Sequence, residues 1–336
     1  MPILVNRKRT VHLINPMVNP HGGAENRVKE LYHVLKSRTT VNIWSPAGSS
    51  PSPLLTAQLP IRRIRPRRLQ FPFGGTVVLA AAGPWWIGNW IKYFRPRRVV
   101  YICNLPDIEQ IHNRIRELES YGLQGRIHFA YAAEWIRSAV GRPGPVLISP
   151  IDIERFRPLS LEAQIRSRPF TIGRLSRDIP YKHHPDDSQL YQRLAQQGFK
   201  VRVMGGDSLR TAPHPNIEIL PEGAMAADDF LRSLDVFFYR TNTAQWVEPH
   251  GRVVTEALAT GLPVICGDLG GFIEWVRPGK NGYIISDNQE AESRMLELRS
   301  DPKLYVNLSI GARDTAESAF SREAIDRLAK HIIGDD

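Results

Sequence analysis

Glu248-Pro-His-Gly-Arg-Val-Val-Thr-Glu256, continued by Ala-Leu-Ala-Thr-Gly-Leu-Pro-Val-Ile-Cys-Gly267, carries two carboxylates eight positions apart. The spacing predicts one carboxylate just before a helix and one inside it. Pro249 suits the first turn, where a missing N–H costs little. Val253, Val254, Ala257 and Leu258 recur at the interval of a helix lying on a sheet. Gly261 predicts the helix end, Pro263 prevents continuation, and Val264-Ile265-Cys266 reads as a short buried strand. A helix entered through Pro-His-Gly keeps backbone N–H groups free at a positive dipole end, which suits a phosphate or a sugar hydroxyl. Carboxylates there accept from hydroxyls, so the arrangement suggests a nucleotide-sugar site.

The same alternation of strand and helix patterns extends in both directions. After the segment at 150–158, strands are expected at 170–173, 200–204, 217–220, 236–239, 264–266 and 282–285, with helices between and after them. Before it, strands are expected at 10–15, 40–44, 76–81, 99–103, 127–131 and 146–149. Helices are expected from Gly22-Gly23 to Leu35, at 85–94, 107–121 and 133–140, and a loop at 45–60. This rhythm implies α/β architecture with parallel sheets covered on both faces. A chain of 336 residues suffices for two domains of about 150 residues each, here 1–150 and 151–336. Doubly wound sheets take ligands at the carboxyl ends of their strands.

Charge separates the two halves. Residues 1–150 hold 21 Lys and Arg against 7 Asp and Glu, whereas 151–336 hold 23 against 27. The first half therefore suits an anionic partner: nucleic acid, an anionic membrane surface or a phosphorylated substrate. Cys103 and Cys266 each end an apolar run and read as buried, reduced thiols of a cytoplasmic protein. No apolar leader precedes a cleavage site, so no signal peptide is expected. The uncharged stretch 76–91 is broken by Gly83-Pro84 and is shorter than the roughly 20 residues of a spanning helix.

Four landmarks, in order over almost the whole chain, resemble the retaining glycosyltransferases of family four. They are Pro20-His-Gly-Gly-Ala-Glu25, Ile151-Asp-Ile-Glu-Arg-Phe-Arg-Pro158, Gly173-Arg-Leu-Ser176 with Lys182, and Glu248 to Glu256 followed by Gly270-Gly271-Phe-Ile-Glu274 and Gly279-Lys-Asn-Gly282. The resemblance implies the GT-B fold, two Rossmann-like doubly wound domains facing across a cleft. The first would bind the acceptor and the second the nucleotide-sugar donor, and the last C-terminal helix is an option for packing back on the first domain. It implies that Arg174 and Lys182 stabilise the leaving nucleoside diphosphate, with Glu248 holding the donor sugar as the third catalytic residue. Donor-binding residues implied are Gly22, Gly23, Glu256 on the ribose, and His250, Gly251, Arg252 and Val253. Lys182 follows Arg174 at a longer gap than the family shows, and His183 stands beside it. Asn104 replaces the family's usual histidine as a sugar contact, and Asp107 reads as a helix cap. The resemblance implies no metal and no cofactor, the nucleoside-diphosphate sugar being the substrate. The acidic pairs Asp186-Asp187 and Asp228-Asp229 accordingly read as helix-start residues rather than ligands.

The acceptor side is written in the basic half. Residues 61–73 interleave five arginines with apolar side chains, and Trp85, Trp86, Trp90, Tyr93 and Phe94 precede Arg95, Arg97 and Arg98. Segments 61–73 and 85–98 suit an anionic membrane surface, or a solvated strand face over core tryptophans. Nucleic acid is disfavoured, since no nucleic-acid motif is present. The expectation is a retaining, metal-independent hexosyltransferase, cytoplasmic and peripheral on the inner face of the membrane. It would transfer sugar to a glycan or lipid-linked acceptor in surface polysaccharide or glycolipid synthesis. The alternatives are a nucleotide-sugar epimerase of the same fold and a non-catalytic basic binding module.

Overall fold

A computed structural model describes residues 9–80, 89–158 and 169–334. The chain forms two compact units, Met1–Pro150 with Arg322–Asp336, and Ile151–Ser321. In the first unit β1 (Thr10–Ile14), β2 (Thr40–Ser45), β3 (Ile61–Arg63), β4 (Thr76–Ala80), β5 (Arg98–Cys103) and β6 (Ile127–Tyr131) make one sheet in the order β3-β2-β1-β4-β5-β6. Every pairing is parallel, with Val11 opposite Thr76 and Thr76 opposite Arg98. Because strand side chains alternate between faces, Ile14, Val77, Leu79, Val99 and Tyr101 enter one core and Val11, Leu13, Val78, Val100 and Ile102 the other. Helix α1 (Gly23–Leu35) brings Val28 and Leu31 to the second core, and Leu328 and Ile332 of the chain's last helix, Arg322–Ile333, complete it. A short helix, α2 (Pro53–Gln58), adds Leu55 to that core. Helices α3 (Ile108–Ser120) and α4 (Glu134–Val140) bring Ile111, Ile115, Leu118 and Ile136 to the first.

The second unit repeats the plan with β7 (Thr171–Leu175), β8 (Lys200–Met204), β9 (Ile217–Leu220), β10 (Val236–Tyr239), β11 (Val264–Gly267) and β12 (Gly282–Ile285), in the parallel order β12-β11-β10-β7-β8-β9. Helices α5 (Asp187–Gln196), α6 (Ala227–Arg232) and α7 (Arg252–Ala259) lie between these strands in sequence. In each sheet the chain winds outward from a central strand, returns, and winds the other way. The order reverses between β1 and β4 and between β7 and β10, and such switch points open a crevice at the carboxyl ends.

Several local expectations change. The expected loop at 45–60 contains α2, because Pro53 sits where its missing N–H is harmless and Leu55 is buried. The strand expected at 146–149 reduces to one bridge between Tyr131 and Val146, since Pro145 and Pro150 supply no N–H for a ladder. The helix expected to take Pro249 into its first turn begins only at Arg252. Of the expected helix at 85–94, residues 85–88 lie outside the described ones, and Asn89–Lys92 form a single 3-10 turn.

The last helix predicts a localised effect. Ile332 is fully buried against the first sheet, so Ile332→Ala should cost about 2–4 kcal/mol through lost contact and the cavity left. Hydrogen exchange should quicken for β1 and β4 amides and stay unchanged for β7 and β10. Equal quickening in both sheets would contradict the assignment of this helix to the first unit.

Candidate active site

The reversal between β7 and β10 gathers the second unit's charged residues. Arg174, near the end of β7, is fully buried. Its guanidinium donates to the carbonyl of Arg240 at 2.6 Å and to the carbonyl of Lys182, and lies 3.5 Å from the Asp187 carboxylate. It also faces the Tyr239 ring, 4.8 Å from the centroid. Asp187, first residue of α5, is equally buried and accepts from Arg240 Nε at 2.6 Å. A buried charge needs such pairing. Arg174 therefore turns inward onto protein carbonyls and its reach is structural: it holds the backbone of the loop that delivers Lys182.

The Lys182 ammonium forms an ion pair with Glu248 Oε2 and lies 4.9 Å from the Trp246 ring centroid. The same Glu248 oxygen accepts from Tyr239 Oη at 3.1 Å and Trp246 Nε1 at 3.4 Å. Burial pushes the Glu248 pKa up, but the Lys182 charge and the three hydrogen bonds outweigh it, and the carboxyl is held down at about 2. Burial lowers the Lys182 pKa, opposed by Glu248. Half-buried Arg177 adds positive potential at Lys182 and Tyr239. His183 turns its Nε2 toward the carbonyl of Gly205 at 3.0 Å, and burial, then the Arg174 charge, bring its pKa to about 4. Neutral at pH 7, it does not replace Lys182 as a cation.

Beyond Glu248 the chain enters α7 through Gly251, whose φ of +73° is left-handed. A Cβ there would lie 2.6 Å from that of Phe272, so the turn requires glycine on both grounds. The carbonyl of Glu248 accepts from the N–H of Gly271 at 2.8 Å, joining this turn to the Gly270-Gly271 turn. Among the described residues no side-chain hydrogen bond caps α7, and the N–H of Val254 donates to the carbonyl of Gly251 at 2.8 Å, so the positive end of the helix dipole faces this turn. His250 is buried with its ring edge-on to Trp275, and Val253 is half-buried. Glu256 accepts from Arg252 Nε at 2.8 Å one turn earlier, both side chains being largely buried.

Lys182, Glu248, Tyr239 and Trp246 are thus brought into contact, with Arg252 and Glu256 on the adjoining helix. In the first unit, Gly22 is the N-cap of α1, at the carboxyl end of β1, and no described side chain caps that helix. A Cβ on Gly22 would meet the Glu25 carboxylate at 2.1 Å, while one on Gly23 would meet open space. Asn104 follows β5, and its buried side-chain oxygen has no hydrogen bond among the described residues. Asp107 caps α3, accepting from Gln110 N at 2.9 Å. Motif and spacing single out neither Tyr239 and Trp246 nor Arg177 and Arg240, and they give Asp187 only a helix start. The available signals are Tyr239-Arg240 ending a buried strand, and an indole two residues before Glu248. Asp187 pairs with Arg240, and Asp228 with Arg155 and Arg232. Among the described residues no cluster of three or more His, Cys, Asp or Glu is placed to hold a metal.

Comparison with known proteins places this geometry. Residues 162–315, most of the second unit, match the family model of glycosyl transferases group 1. Spore coat protein SA of Bacillus subtilis (strain 168) is 41% identical over 95 residues, 27% of this chain and 24% of that protein. The capsular polysaccharide biosynthesis glycosyltransferase CapM of Staphylococcus aureus is 25% identical over 170 residues, 46% of this chain and 43% of that protein. The chain thus spans less than half the length of these curated relatives. The structure of Anabaena HepE in complex with UDP and glucose is similar with a TM-score of 0.73, at 16% identity, over 98% of this chain and 100% of that one. This likeness carries the fold, which is of the GT-B type.

The Glu248 environment predicts an acid-sensitive contribution to stability. Its folded pKa of about 2 lies below the unfolded value of about 4.3. The stabilisation is therefore present above the unfolded value and is lost as pH falls toward the folded one, and amounts to about 3 kcal/mol. Chemical denaturation of the full chain between about pH 6 and about pH 2 should show a shallower acid slope for Glu248→Gln than for the wild type. Parallel slopes would refute the assignment.

Proposed function

We propose that the chain is a retaining, metal-independent hexosyltransferase. It takes a sugar from a nucleoside-diphosphate donor and places it on a hydroxyl of a glycan or lipid-linked acceptor. The contact of Lys182 with Glu248 beside the uncapped start of α7 carries this reading. Lys182 and the α7 N–H groups supply positive potential for a diphosphate as charge grows on its leaving oxygen. Glu248, kept ionised, accepts from sugar hydroxyls, and Glu256 from the ribose diol. Arg174 acts through Lys182 by fixing its loop, while Arg177 is the half-buried cation left to approach the phosphates. The acceptor oxygen attacks from the face the diphosphate leaves, and a leaving phosphate oxygen takes its proton. The glycine loop at Gly22-Gly23 and Asn104 are assigned to donor and sugar contacts from the first unit.

Two findings support the substrate classes. HepE, of similar fold, is described in complex with UDP and glucose, which favours a nucleotide-sugar donor. CapM is described as acting in capsular polysaccharide biosynthesis, which favours a surface-glycan acceptor. No described helix is long and apolar enough to cross a membrane, and the location assigned is peripheral, on the inner face. Arg62, Arg63, Arg65, Arg67 and Arg68 are all exposed, as cations meeting anionic head groups must be. Trp90 and Phe94 belong instead to the core, and Trp85 and Trp86 lie outside the described residues. Leu69, Phe73 and Tyr93 are exposed apolar side chains of these segments.

Glu256→Ala should weaken donor binding about tenfold or more, a loss of about 1.4 kcal/mol, and lower transfer to match. Calorimetric titration with UDP-glucose and other nucleotide sugars, alongside product analysis with acceptor, measures both. Unchanged donor affinity and turnover would sink the ribose assignment.

A further inference from the structure

The first unit has a cavity of about 470 Å³ at the amino ends of its central strands. Thr10, Thr76, Arg98 and His128 begin or nearly begin β1, β4, β5 and β6, and all four line it. It therefore opens at the end of the sheet opposite to the carboxyl ends, where the switch-point crevice lies, and glycosyl transfer makes no use of it. Arg9 and Arg97 complete the charged lining, and no described lining residue is acidic.

Part of this charge has a structural role. Arg98 donates to the carbonyl of His331 in the last helix at 2.9 Å, and Arg9 donates to that of Gly334. These contacts cap the carboxyl end of that helix, where cations are favoured. Arg98 Nη1 also donates to His128 Nε2 at 3.3 Å, which leaves the imidazole as an acceptor in the lining. Arg97 is exposed and its side chain has no partner among the described residues, so its donors are open to a ligand. Converging arginines in a concave site whose described lining carries no carboxylate match the oxygens of a phosphate better than those of any neutral ligand.

The rim is apolar on one side. Phe73 lines the cavity and is 64% exposed. The adjoining Gly74 donates from its N–H to the carbonyl of Phe94 at 2.7 Å, next to exposed Tyr93. Gly75 carries a positive φ of +59°, and a Cβ there would meet the Thr10 carbonyl oxygen at 2.3 Å. The cavity wall thus approaches β1 closely at a position that only glycine can fill.

We propose that this cavity is a phosphate-group site, taking a phosphate monoester or the phosphodiester of a lipid head group. The proposal goes beyond glycosyl transfer and stands or falls separately from it. The full chain is titrated with glycerol phosphate while the amide resonances of Gly74, Gly75 and Gly334 are followed, and then with vesicles of phosphatidylcholine or phosphatidylglycerol. Saturable shifts are expected, weakened about fivefold or more by Arg97→Gln and unaffected by Arg116→Gln, an exposed arginine of α3 that does not line the cavity. Binding to phosphatidylglycerol vesicles that glycerol phosphate displaces identifies a lipid head group as the source. Saturation without vesicle binding identifies a soluble phosphate ester. Absence of saturable shifts, or equal losses in the Arg116 and Arg97 variants, would overturn the site.

Discussion

The second unit's site depends on a charge that never reaches solvent. Arg174 is fully buried, and an unpaired guanidinium there would cost several kcal/mol. Its partners are set by that cost: Asp187 for charge, and the carbonyls of Arg240 and Lys182 for the donors Asp187 does not use. Asp187 in turn holds Arg240 through its other oxygen. The cluster joins β7, β10, the first turn of α5 and the loop ending at Lys182. Displacement of any of these elements would leave a buried polar group without its partner. The loop's backbone is therefore fixed before any ligand arrives, and the ammonium at its end meets Glu248 without a search.

The charges nearest the proposed donor site neutralise one another. Lys182 pairs with Glu248, and Arg252 with Glu256. Such pairs keep buried charges tolerable, and they also set what a ligand must do. A diphosphate approaching Lys182 has to share a cation already engaged, whereas a sugar hydroxyl donating to Glu248 adds a bond to a carboxylate with acceptor capacity left. Pairing also maintains Glu248 as an anion at neutral pH. A carboxylate held near 2 is a poor proton carrier there. In the proposed reading the two carboxylates eight residues apart serve as a grip rather than as an acid and base pair.

Much of the architecture is legible in the sequence because strands of parallel sheets carry runs rich in apolar residues, and eleven of the twelve described strands lie on such expected runs. Only β3, an edge strand of three residues with two exposed arginines, carries no such run. The start of α7 is not legible, because Pro249 has a plausible helical place by local rules. The position is settled by Gly251 against Phe272, a contact 21 residues distant in sequence. Glu248 and Glu256 can be read from type and spacing, and Lys182 from the family resemblance. The inward turn of Arg174 cannot, because whether a guanidinium faces a ligand or a carbonyl depends on where Asp187 and Arg240 arrive in space. Arg177, three residues after Arg174, resembles any loop arginine for the same reason.

Net charge is a coarser guide than local charge, and this chain separates the two. The half that holds the candidate diphosphate cations has more acidic than basic residues, 27 against 23. Its positive potential comes from a few placed groups and a helix end, which act at short range in a poorly solvated site. The excess of 21 basic over 7 acidic residues lies in the other half, spread over exposed arginines at 62–68 and the cavity at the amino ends of the strands. Exposed charges of that kind are screened beyond about 8–10 Å at ordinary ionic strength, so they act on whatever meets their own surface. A donor gripped by Lys182, Glu248 and Glu256 leaves that excess unexplained. An anionic surface or phosphate group meeting the first unit directly fits the distribution, and under the proposal the basic half answers to a different anion from the donor assigned to the second unit.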